Sequence, residues 1–323
     1  MSRSSSIAAR EITSDMRALS LLAALLMSAT ANAQPARITL GTATPGGGFP
    51  AYGAAFVAAV KAQDPALEIE AVNTKGSTEN VPRLEAGTLD IALVQGEVAH
   101  EALEGIGRPA ARGLTVIVAM YPTAGMFVVR GDSPYRSIAD LKGQKIAWGA
   151  AGSGLVILGR YVMDGLGLDA TRDFQPIYLE KAGDGPAMVA DGRAAALWGG
   201  GAGWPGFKAV MGAGGRFIAP DKEEIARILA KHKFLKPLTQ PAGSFPGQSE
   251  AIASVGSWSF VMARPGFDQA IAFRLAKALH AAEKKATPPL AETTAANTVA
   301  GVAQQDLIHP GVRAYYKQAG LVR

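Results

Sequence analysis

The stretch GTATPGGGFPAYG, residues 41–53, decides how the first ordered part of this chain folds. A strand-like run at residues 37–41 leads into it, and a helix-like run at residues 52–61 follows it. A glycine turn between a strand and a helix allows another molecule to approach the backbone, and the first N–H groups of the helix lack partners there. The stretch therefore predicts a strand–turn–helix unit whose turn can bind a ligand.

Strand-like and helix-like runs alternate after this unit, up to residue 120 and again over residues 145–198. Alternation with short Gly-, Pro- and Asn-containing connections is typical of βαβ units in a mostly parallel sheet. The last third is predicted to be helical over residues 268–285, 289–300 and 311–318. Asp221 is predicted to cap a further helix that reaches residue 235.

Pro- and Gly-rich segments at residues 121–136 and 239–248 mark two crossings between the two alternating series. We therefore expect an α/β fold of two lobes, each a mostly parallel sheet flanked by helices, with a hinge and a ligand cleft between them. Lobe I would comprise residues 34–124 and 251–323, and lobe II residues 125–250.

The N-terminus has the layout of a secretory signal peptide. An apolar run, Leu19 to Met27, is too short to span a bilayer, and Ala31-Asn32-Ala33 follows it as an A-x-A cleavage site. We expect residues 1–33 to be removed after Ala33, with Met16 as an alternative start, and the mature protein to reside in the periplasm.

Composition narrows the function classes. The 323 residues are 48% hydrophobic and carry a formal charge of +5, from 32 basic and 27 acidic residues with no dominant basic run. Nucleic-acid binding would require a clustered basic face, so no nucleic-acid partner is expected. The chain has no cysteine, and no apolar stretch after residue 34 is long enough to span a membrane. The mature chain is therefore not expected to span a membrane.

Three turns share glycine and serine at a helix start. They are Gly46-Gly47-Gly48, Lys75-Gly76-Ser77-Thr78-Glu79-Asn80 and Gly149-Ala150-Ala151-Gly152-Ser153-Gly154. Free N–H groups and the positive end of the helix dipole accept an anion at such positions. A carboxylate or phosphate held across the cleft is the interpretation we favour. The alternative is ordinary helix capping by Ser77 and Ser153.

Other kinds of site are weakly supported. Gly46, Gly48 and Ala51 match G-x-G-x-x-A, but Asn73-Thr74 replace the ribose-binding acid of a dinucleotide site. The serines lack the G-x-S-x-G context of a hydrolase nucleophile, and the four histidines are scattered. We expect no cofactor, no metal site and no enzymatic activity. Between Trp198 and Trp204 lie five small residues that cannot cover two indoles, so at least one tryptophan should face the cleft.

Several motifs occur in a characteristic order. They are Thr44-Pro45-Gly46-Gly47, Gly76-Ser77-Thr78-Glu79-Asn80, Ile91-Ala92-Leu93-Val94-Gln95, Leu141-Lys142-Gly143 with residues 149–154, Phe245-Pro246-Gly247-Gln248, and His309-Pro310-Gly311 with Tyr315-Tyr316. In these motifs the chain resembles the TAXI family, which comprises the solute receptors of tripartite ATP-independent periplasmic (TRAP) transporters. The resemblance extends from about residue 38 to residue 321. The resemblance implies a type II periplasmic-binding-protein fold that closes on a small organic anion, such as an acidic amino acid or a dicarboxylate. It also implies membrane-embedded TRAP subunits as partners.

The sequence departs from the family pattern at three places. Gly48-Phe49 replace a hydroxyl and a phenol of the first turn, Lys75 replaces a small residue, and Ala195 replaces an aspartate. None of these changes supplies a carboxylate for a ligand amine. We therefore hypothesise a dianion without an amine, with Lys75 as the motivating residue.

The predicted ligand-binding residues lie on the three turns and their neighbours. The set is Thr44, Gly47, Gly48, Phe49, Tyr52, Lys75, Ser77, Asn80, Gln95, Gly152, Ser153, Gly154 and Trp198. Backbone N–H groups and hydroxyls would bind the carboxylates, Gln95 and Asn80 would set orientation, and Phe49 and Trp198 would line the apolar part. The remaining alternatives are a binding protein of an ATP-driven (ABC) importer or of a sensor system, and a periplasmic enzyme built on the same cleft.

Overall fold

The computed structural model describes residues 35–201 and 203–322. Its strands, in chain order, are β1 (Ala36–Gly41), β2 (Leu67–Val72), β3 (Ile91–Gln95), β4 (Thr115–Ala124), β5 (Met126–Val129), β6 (Lys145–Ala150), β7 (Gln175–Leu179), β8 (Ala196–Gly199), β9 (Arg216–Ile218), β10 (Lys236–Gln240) and β11 (Ile252–Ala263). Its α-helices are α1 (Gly48–Gln63), α2 (Ser77–Glu85), α3 (Gly96–Glu104), α4 (Gly154–Gly165), α5 (Gly185–Ala190), α6 (Pro205–Gly212), α7 (Lys222–Lys231), α8 (Gln269–Ala282), α9 (Ala295–Gly301) and α10 (Pro310–Gln318).

The strands form two mixed sheets. The first has the order β10-β11-β3-β1-β2, with β4 also paired to β11, and the second has the order β7-β6-β8-β5-β9. In the first sheet β1 is parallel to β2 and β3, while β11 is antiparallel to β3, β4 and β10. In the second sheet β6 is parallel to β7 and β8, and β5 is antiparallel to β8 and β9.

The predicted α/β fold with two lobes is confirmed, although the sheets are mixed and not mostly parallel. The antiparallel pairs come from the strands at the crossings. Gly125 is the only residue between β4 of the first sheet and β5 of the second, and β11 pairs antiparallel with β4 in the first sheet. The lobe boundaries at residues 124 and 250 stay a prediction.

Each sheet has its own hydrophobic core. In the first, Leu40 and Phe56 are fully buried against the helices that cover the sheet. In the second, Phe127, Trp148 and Trp198 form a mutually contacting aromatic group with ring centroids 4.8–5.7 Å apart. Truncating one such buried aromatic side chain costs about 3–5 kcal/mol, so these residues stabilise the lobe directly below the cleft.

Local signals account for several element ends. Asp221 caps α7 in a reciprocal capping box, because its carboxylate accepts from Glu224 N and the Glu224 carboxylate accepts from Asp221 N. The predicted helix over residues 289–300 was too long: α9 begins only at Ala295, where the Thr294 side chain accepts from Asn297 N at 3.0 Å. The short elements α6 and β9 had not been predicted.

The predicted signal peptide, residues 1–33, lies outside the described residues. Among the helices within residues 35–201 and 203–322, none is both long and apolar enough to cross a membrane.

Candidate functional site

The three glycine turns meet around one cavity between the two sheets. Its volume is about 40 Å³. It is lined by Ala43, Thr44, Gly47, Gly48, Phe49, Lys75, Gly76, Ser77, Gln95, Tyr121, Thr123, Ala150, Ser153, Gly154, Leu155, Ala182, Gly200 and Trp204. Below we call this space the inner cavity. Turns from both sheets contribute to it, as the strand–turn–helix pattern predicts.

The first turn has no side-chain cap. α1 begins at Gly48, and its N-cap Gly47 contributes no side-chain hydrogen bond to the free N–H groups. Gly46 has φ of +79°, and a Cβ added to it would lie 2.6 Å from Gly183 Cα of the opposite lobe. Glycine is required here because only glycine combines this φ with such a close approach.

The second and third turns use their serines differently. α2 begins at Ser77, whose Oγ accepts from Gln95 N at 3.0 Å and so ties the turn to the end of β3. Ser153 is the N-cap of α4, where its Oγ accepts from Leu155 N at 3.2 Å. Ordinary capping, the alternative noted from the sequence, therefore describes Ser153 but not Ser77.

Hydrogen bonds across the cleft hold the inner cavity closed. Gly152 O accepts from Thr78 N at 3.2 Å and from Thr78 Oγ1 at 3.0 Å. Ala182 N donates to Thr44 Oγ1 at 3.2 Å. At the edge of the cleft, the Glu101 carboxylate accepts from Arg160 and, at 2.9 Å, from the Tyr161 hydroxyl. The two lobes are therefore in contact on more than one side of the cavity.

The inner cavity presents donors and no acid. Gln95 is 3% exposed, and its Nε2 has no hydrogen-bond partner within the described parts of the chain. Tyr121 is 5% exposed, and burial raises the pKa of its hydroxyl, which stays neutral. Lys75 is the only charged side chain among the lining residues. An unsatisfied buried donor costs about 1–3 kcal/mol, so the arrangement favours a ligand that supplies acceptors.

Glu97 lies in the first turn of α3, two residues after Gln95, and does not line the cavity. It is fully buried, and neither carboxylate oxygen has a hydrogen-bond partner among residues 35–201 and 203–322. Burial raises the pKa of Glu97 to about 7 and outweighs the smaller, opposing effect of the neighbouring Ser257 and Gln95 side chains. The side chain is therefore mostly protonated in slightly acidic solution, which limits the cost of enclosing it.

The structure brings most of the predicted site residues together. The residues that line the inner cavity are Thr44, Gly47, Gly48, Phe49, Lys75, Ser77, Gln95, Ser153 and Gly154. Gly154 packs closely on the opposite lobe, since a Cβ added to it would lie 3.0 Å from Gln95 Oε1 and 3.1 Å from Ser77 Oγ.

Four predicted residues lie outside the cavity lining. Tyr52 is buried in the first core, where its hydroxyl pairs with Thr293 Oγ1 at 3.0 Å. Asn80 is buried and its Nδ2 donates at 2.8 Å to two backbone carbonyls, which joins α2 to β1 and β3. Gly152 makes the cross-cleft contact, and Trp198 is in the second core, with its Nε1 donating to Leu155 O at 2.8 Å.

Sequence reasoning missed several lining residues. Tyr121 and Thr123 come from β4, and neither carries a motif that distinguishes it from core residues of a strand. Trp204 lines the cavity in the place predicted for Trp198. The five small residues between Trp198 and Trp204 indicated that one of the two tryptophans faces the cleft, but they did not indicate which one.

Comparisons with known proteins agree with this architecture. The NMT1-like family matches the chain over residues 40–320. Among solved structures, PhnD1 from Prochlorococcus marinus (MIT 9301) in complex with methylphosphonate is 11% identical, with a TM-score of 0.51 over 90% of this chain and 100% of that chain. A structure described as a periplasmic transporter is 12% identical, with a TM-score of 0.52 over 90% and 94%.

The alkanesulfonate-binding protein SsuA from Xanthomonas axonopodis pv. citri, solved with MOPS bound, is 19% identical, with a TM-score of 0.48 over 88% of this chain and 84% of that chain. At sequence identities this low, the similarity shows that the folds are related and says nothing about which ligand this chain binds. The fold is that of periplasmic binding proteins, which agrees with the type II expectation.

Proposed function

Since this chain belongs to the NMT1-like family of periplasmic solute-binding proteins, we propose that it is a receptor that captures a small organic anion in the inner cavity and delivers it to the membrane subunits of a transporter. The lobes would close around the ligand by a hinge motion at the two crossings. Membership of a solute-binding family supports a receptor over an enzyme.

The observation that carries the proposal is the unpartnered Gln95 amide. Gln95 lines the closed cavity and its buried Nε2 has no hydrogen-bond partner among the described residues, and the backbone starts of α1 and α4 line the same space. An acceptor on the ligand would satisfy Gln95 Nε2, and free N–H groups of the helix starts would add charge-assisted hydrogen bonds to an anion.

The lining also constrains the class of anion. It contains no Asp, Glu or His, so the ammonium group of an amino acid would find no counter-charge in the cavity. Burying an unpaired charge is strongly unfavourable. The site therefore favours an anion without an amine, and the dianion hypothesis based on Lys75 remains part of the proposal. Phosphonates and sulfonates belong in the ligand screen beside carboxylates, because their oxygens accept the same hydrogen bonds.

The membrane partner and location are proposed from the family resemblance. We assign the receptor to a TRAP-type transporter of the TAXI class, in the periplasm after cleavage following Ala33. The alternative is that this chain is the binding protein of an ABC importer or of a sensor system, since binding proteins of the same fold serve those systems as well. Uptake into vesicles that contain the receptor's membrane subunits separates the two transporter types: TRAP transport requires an ion gradient, and ABC transport requires ATP.

The direct test is a thermal-shift screen of the mature protein against carboxylates, sulfonates, phosphonates, amino acids and sugars, followed by calorimetry. At a hundred times its Kd, a ligand that binds only the folded protein stabilises it by about 2.7 kcal/mol, which raises the Tm by roughly 5 °C. We expect this shift with anions that lack an amine. Gln95→Met should then raise the Kd about 10- to 100-fold, because a hydrogen bond to a charged group is lost.

The matched control is Gln304→Met, which changes an exposed glutamine that does not line the inner cavity and should leave the Kd unchanged. A sugar as the best ligand, or unchanged binding by Gln95→Met, would contradict the anion site. Preference for glutamate over dicarboxylates would overturn the amine-free hypothesis alone.

A further inference from the structure

We propose that Glu97 is a positioning residue of the ligand site, which orients the Gln95 amide toward the anion and takes up a proton from solvent when the anion binds. This inference rests on the proposed function and extends it, because it adds a proton to the binding reaction and gives a buried carboxyl group a part in it.

Three buried polar atoms without partners lie where β3 leads into α3. They are Nε2 of Gln95 and both carboxylate oxygens of Glu97, and none of them has a hydrogen-bond partner among residues 35–201 and 203–322. Only Gly96 separates the two residues in the sequence, and their side chains are neighbours, together with that of Ser257. Native proteins rarely leave such groups unpaired, so three of them together indicate that binding completes the site.

The Gln95 amide and the Glu97 carboxyl group are complementary when Glu97 is neutral. The amide nitrogen has two N–H groups, so it can donate one to the Glu97 carbonyl oxygen and the other to an anion in the inner cavity. The carboxyl O–H can be donated to Ser257 Oγ, whose contact with Trp258 O is long at 3.4 Å. In this arrangement Glu97 fixes the orientation of the amide that the anion meets.

The closed lobes hold the Gln95 side chain at this position. A Cβ added to Gly154, at the start of α4, would lie 2.5 Å from Gln95 Cβ and 3.0 Å from Gln95 Oε1. On the other side, a Cβ added to Gly96 would overlap Ser257 Oγ. Neither glycine can carry a side chain unless its neighbour moves, so Gln95 is confined between the opposite lobe and the turn that carries Glu97.

The elements around Glu97 offer no free cation to its charged form. α3 packs on α2, α4, β3 and β11, and neither of these two strands carries an ionisable side chain. The charged side chains of α2 and α4 all make ion pairs with other groups; they are Glu79, Arg83, Glu85, Arg160 and Asp164. The Tyr161 hydroxyl donates to Glu101. No charged group of the described elements packed on α3 is therefore left to pair with Glu97.

The other ionisable side chains of α3 do not hold the charged form either. Burial is the main cause of the raised pKa of Glu97, and the negative charge of Glu101, one turn later, raises it further. His100 stacks on Phe234 with ring centroids 4.0 Å apart, and Glu104 is exposed. A second negative charge nearby, such as a bound anion, would act on Glu97 in the same direction as Glu101 does.

Anion binding and protonation of Glu97 therefore support each other. Both groups would lie beside the Gln95 amide, so the anion disfavours the charged carboxylate and raises the pKa of Glu97 above about 7. By linkage, a neutral Glu97 raises the affinity for the anion by the same factor. The affinity is then highest in slightly acidic solution and falls as the pH rises through about 7.

Calorimetry at pH 7.5, in buffers that differ in ionisation enthalpy, counts the protons taken up on binding by the mature protein. The probes are oxalate and methanesulfonate, which lack an amine and stay ionised from pH 6 to pH 8.5, with any tighter anion from the screen that also stays ionised. We expect about half a proton per bound anion. The Kd should be about sevenfold higher at pH 8.5 than at pH 6, the effect of a rise of about one unit in pKa.

Three variants separate the roles of charge and orientation. Glu97→Gln cannot titrate but retains a carbonyl oxygen for Gln95 Nε2, so it should take up no proton and bind with one Kd at pH 6 and pH 8.5. Glu97→Leu lacks this acceptor and should have a Kd about fivefold above that of Glu97→Gln at either pH. The matched control, Glu104→Gln on the exposed side of α3, should keep the proton uptake and the pH dependence of the wild type.

An anion that binds to the wild type without proton uptake would overturn the inference and leave the receptor proposal standing, and this measurement does not depend on the folding of any variant. The same holds if the uptake persists in Glu97→Gln. Equal Kd values for Glu97→Gln and Glu97→Leu would overturn the orientation of Gln95 by Glu97. If no anion of the screen binds at either pH, both proposals fail.

Discussion

At the scale of single residues, Glu97 is a fully buried carboxyl group that lies close to the proposed ligand site. Its pKa is raised from 4.5 to about 7 because burial disfavours the charged form. The folded protein therefore binds a proton here that the unfolded chain releases between pH 4.5 and about 7. The stabilising contribution of the neutral group is complete below pH 4.5 and is lost as the pH rises through about 7.

Glu97→Gln should remove this pH dependence. Above pH 7 the variant should be more stable than the wild type by on the order of 3 kcal/mol, because the wild type then carries a charge in the core. Near pH 4 the two proteins should unfold at the same temperature. Thermal unfolding across this pH range measures the difference, with Glu104→Gln on the exposed side of the same helix as the control. If the unfolding temperatures of the wild type and Glu97→Gln changed with pH in the same way, the raised pKa of Glu97 would be contradicted.

At the scale of elements, the start of α4 closes against the turn before α2. Gly152 O accepts two hydrogen bonds from Thr78, and a Cβ added to Gly152 would lie 2.7 Å from both Lys75 Cβ and Lys75 O. Such distances are shorter than any normal contact of a side chain. The backbone of Gly152 is outside the left-handed region, so the clash arises from lobe closure and not from local strain.

Gly152→Ala should therefore impair closure without impairing folding. We expect the unliganded variant to melt within a few degrees of the wild type, and its Kd for the best ligand to rise at least about tenfold, the effect of 1.4 kcal/mol. Parallel thermal unfolding and calorimetry provide both readouts. If Gly152→Ala bound the ligand with the same Kd as the wild type, the lobes would be able to close with a side chain between residue 152 and Lys75.

At the scale of the whole molecule, hydrogen bonds that cross the cleft show that the two lobes are closed on each other. The amides of Thr78 and Ala182 donate to the opposite lobe, and these bonds can exist only when the lobes meet. Binding energy from the ligand would shift the population toward this closed form.

We expect a saturating ligand to reduce the radius of gyration in X-ray scattering and to slow hydrogen exchange at the amides of Thr78 and Ala182. Exchange within α8, whose buried residues belong to the first core and do not line the inner cavity, should not change. Equal scattering and equal exchange with and without ligand would show that the lobes do not move on binding.

The amino-acid sequence by itself determined the features that depend on near neighbours. Alternating strand and helix runs, the Asp221 capping box and the three glycine turns all depend on residues within a few positions of one another. For that reason the α/β fold with two lobes was predicted correctly, and nine of the thirteen predicted site residues lie around one cavity.

Only the tertiary structure decided the features that depend on distant parts of the chain. Trp204, and not Trp198, lines the cavity because β8 pairs with β5 and β6 and encloses Trp198 in the second core. Tyr121 reaches the site because β4 of the first sheet lies beside α1, where the Tyr121 ring packs on Tyr52; in the sequence Tyr121 is seventy-three positions from Gly48. Local propensity and spacing carry no information about such contacts, since strand order and the packing of one lobe on the other set them.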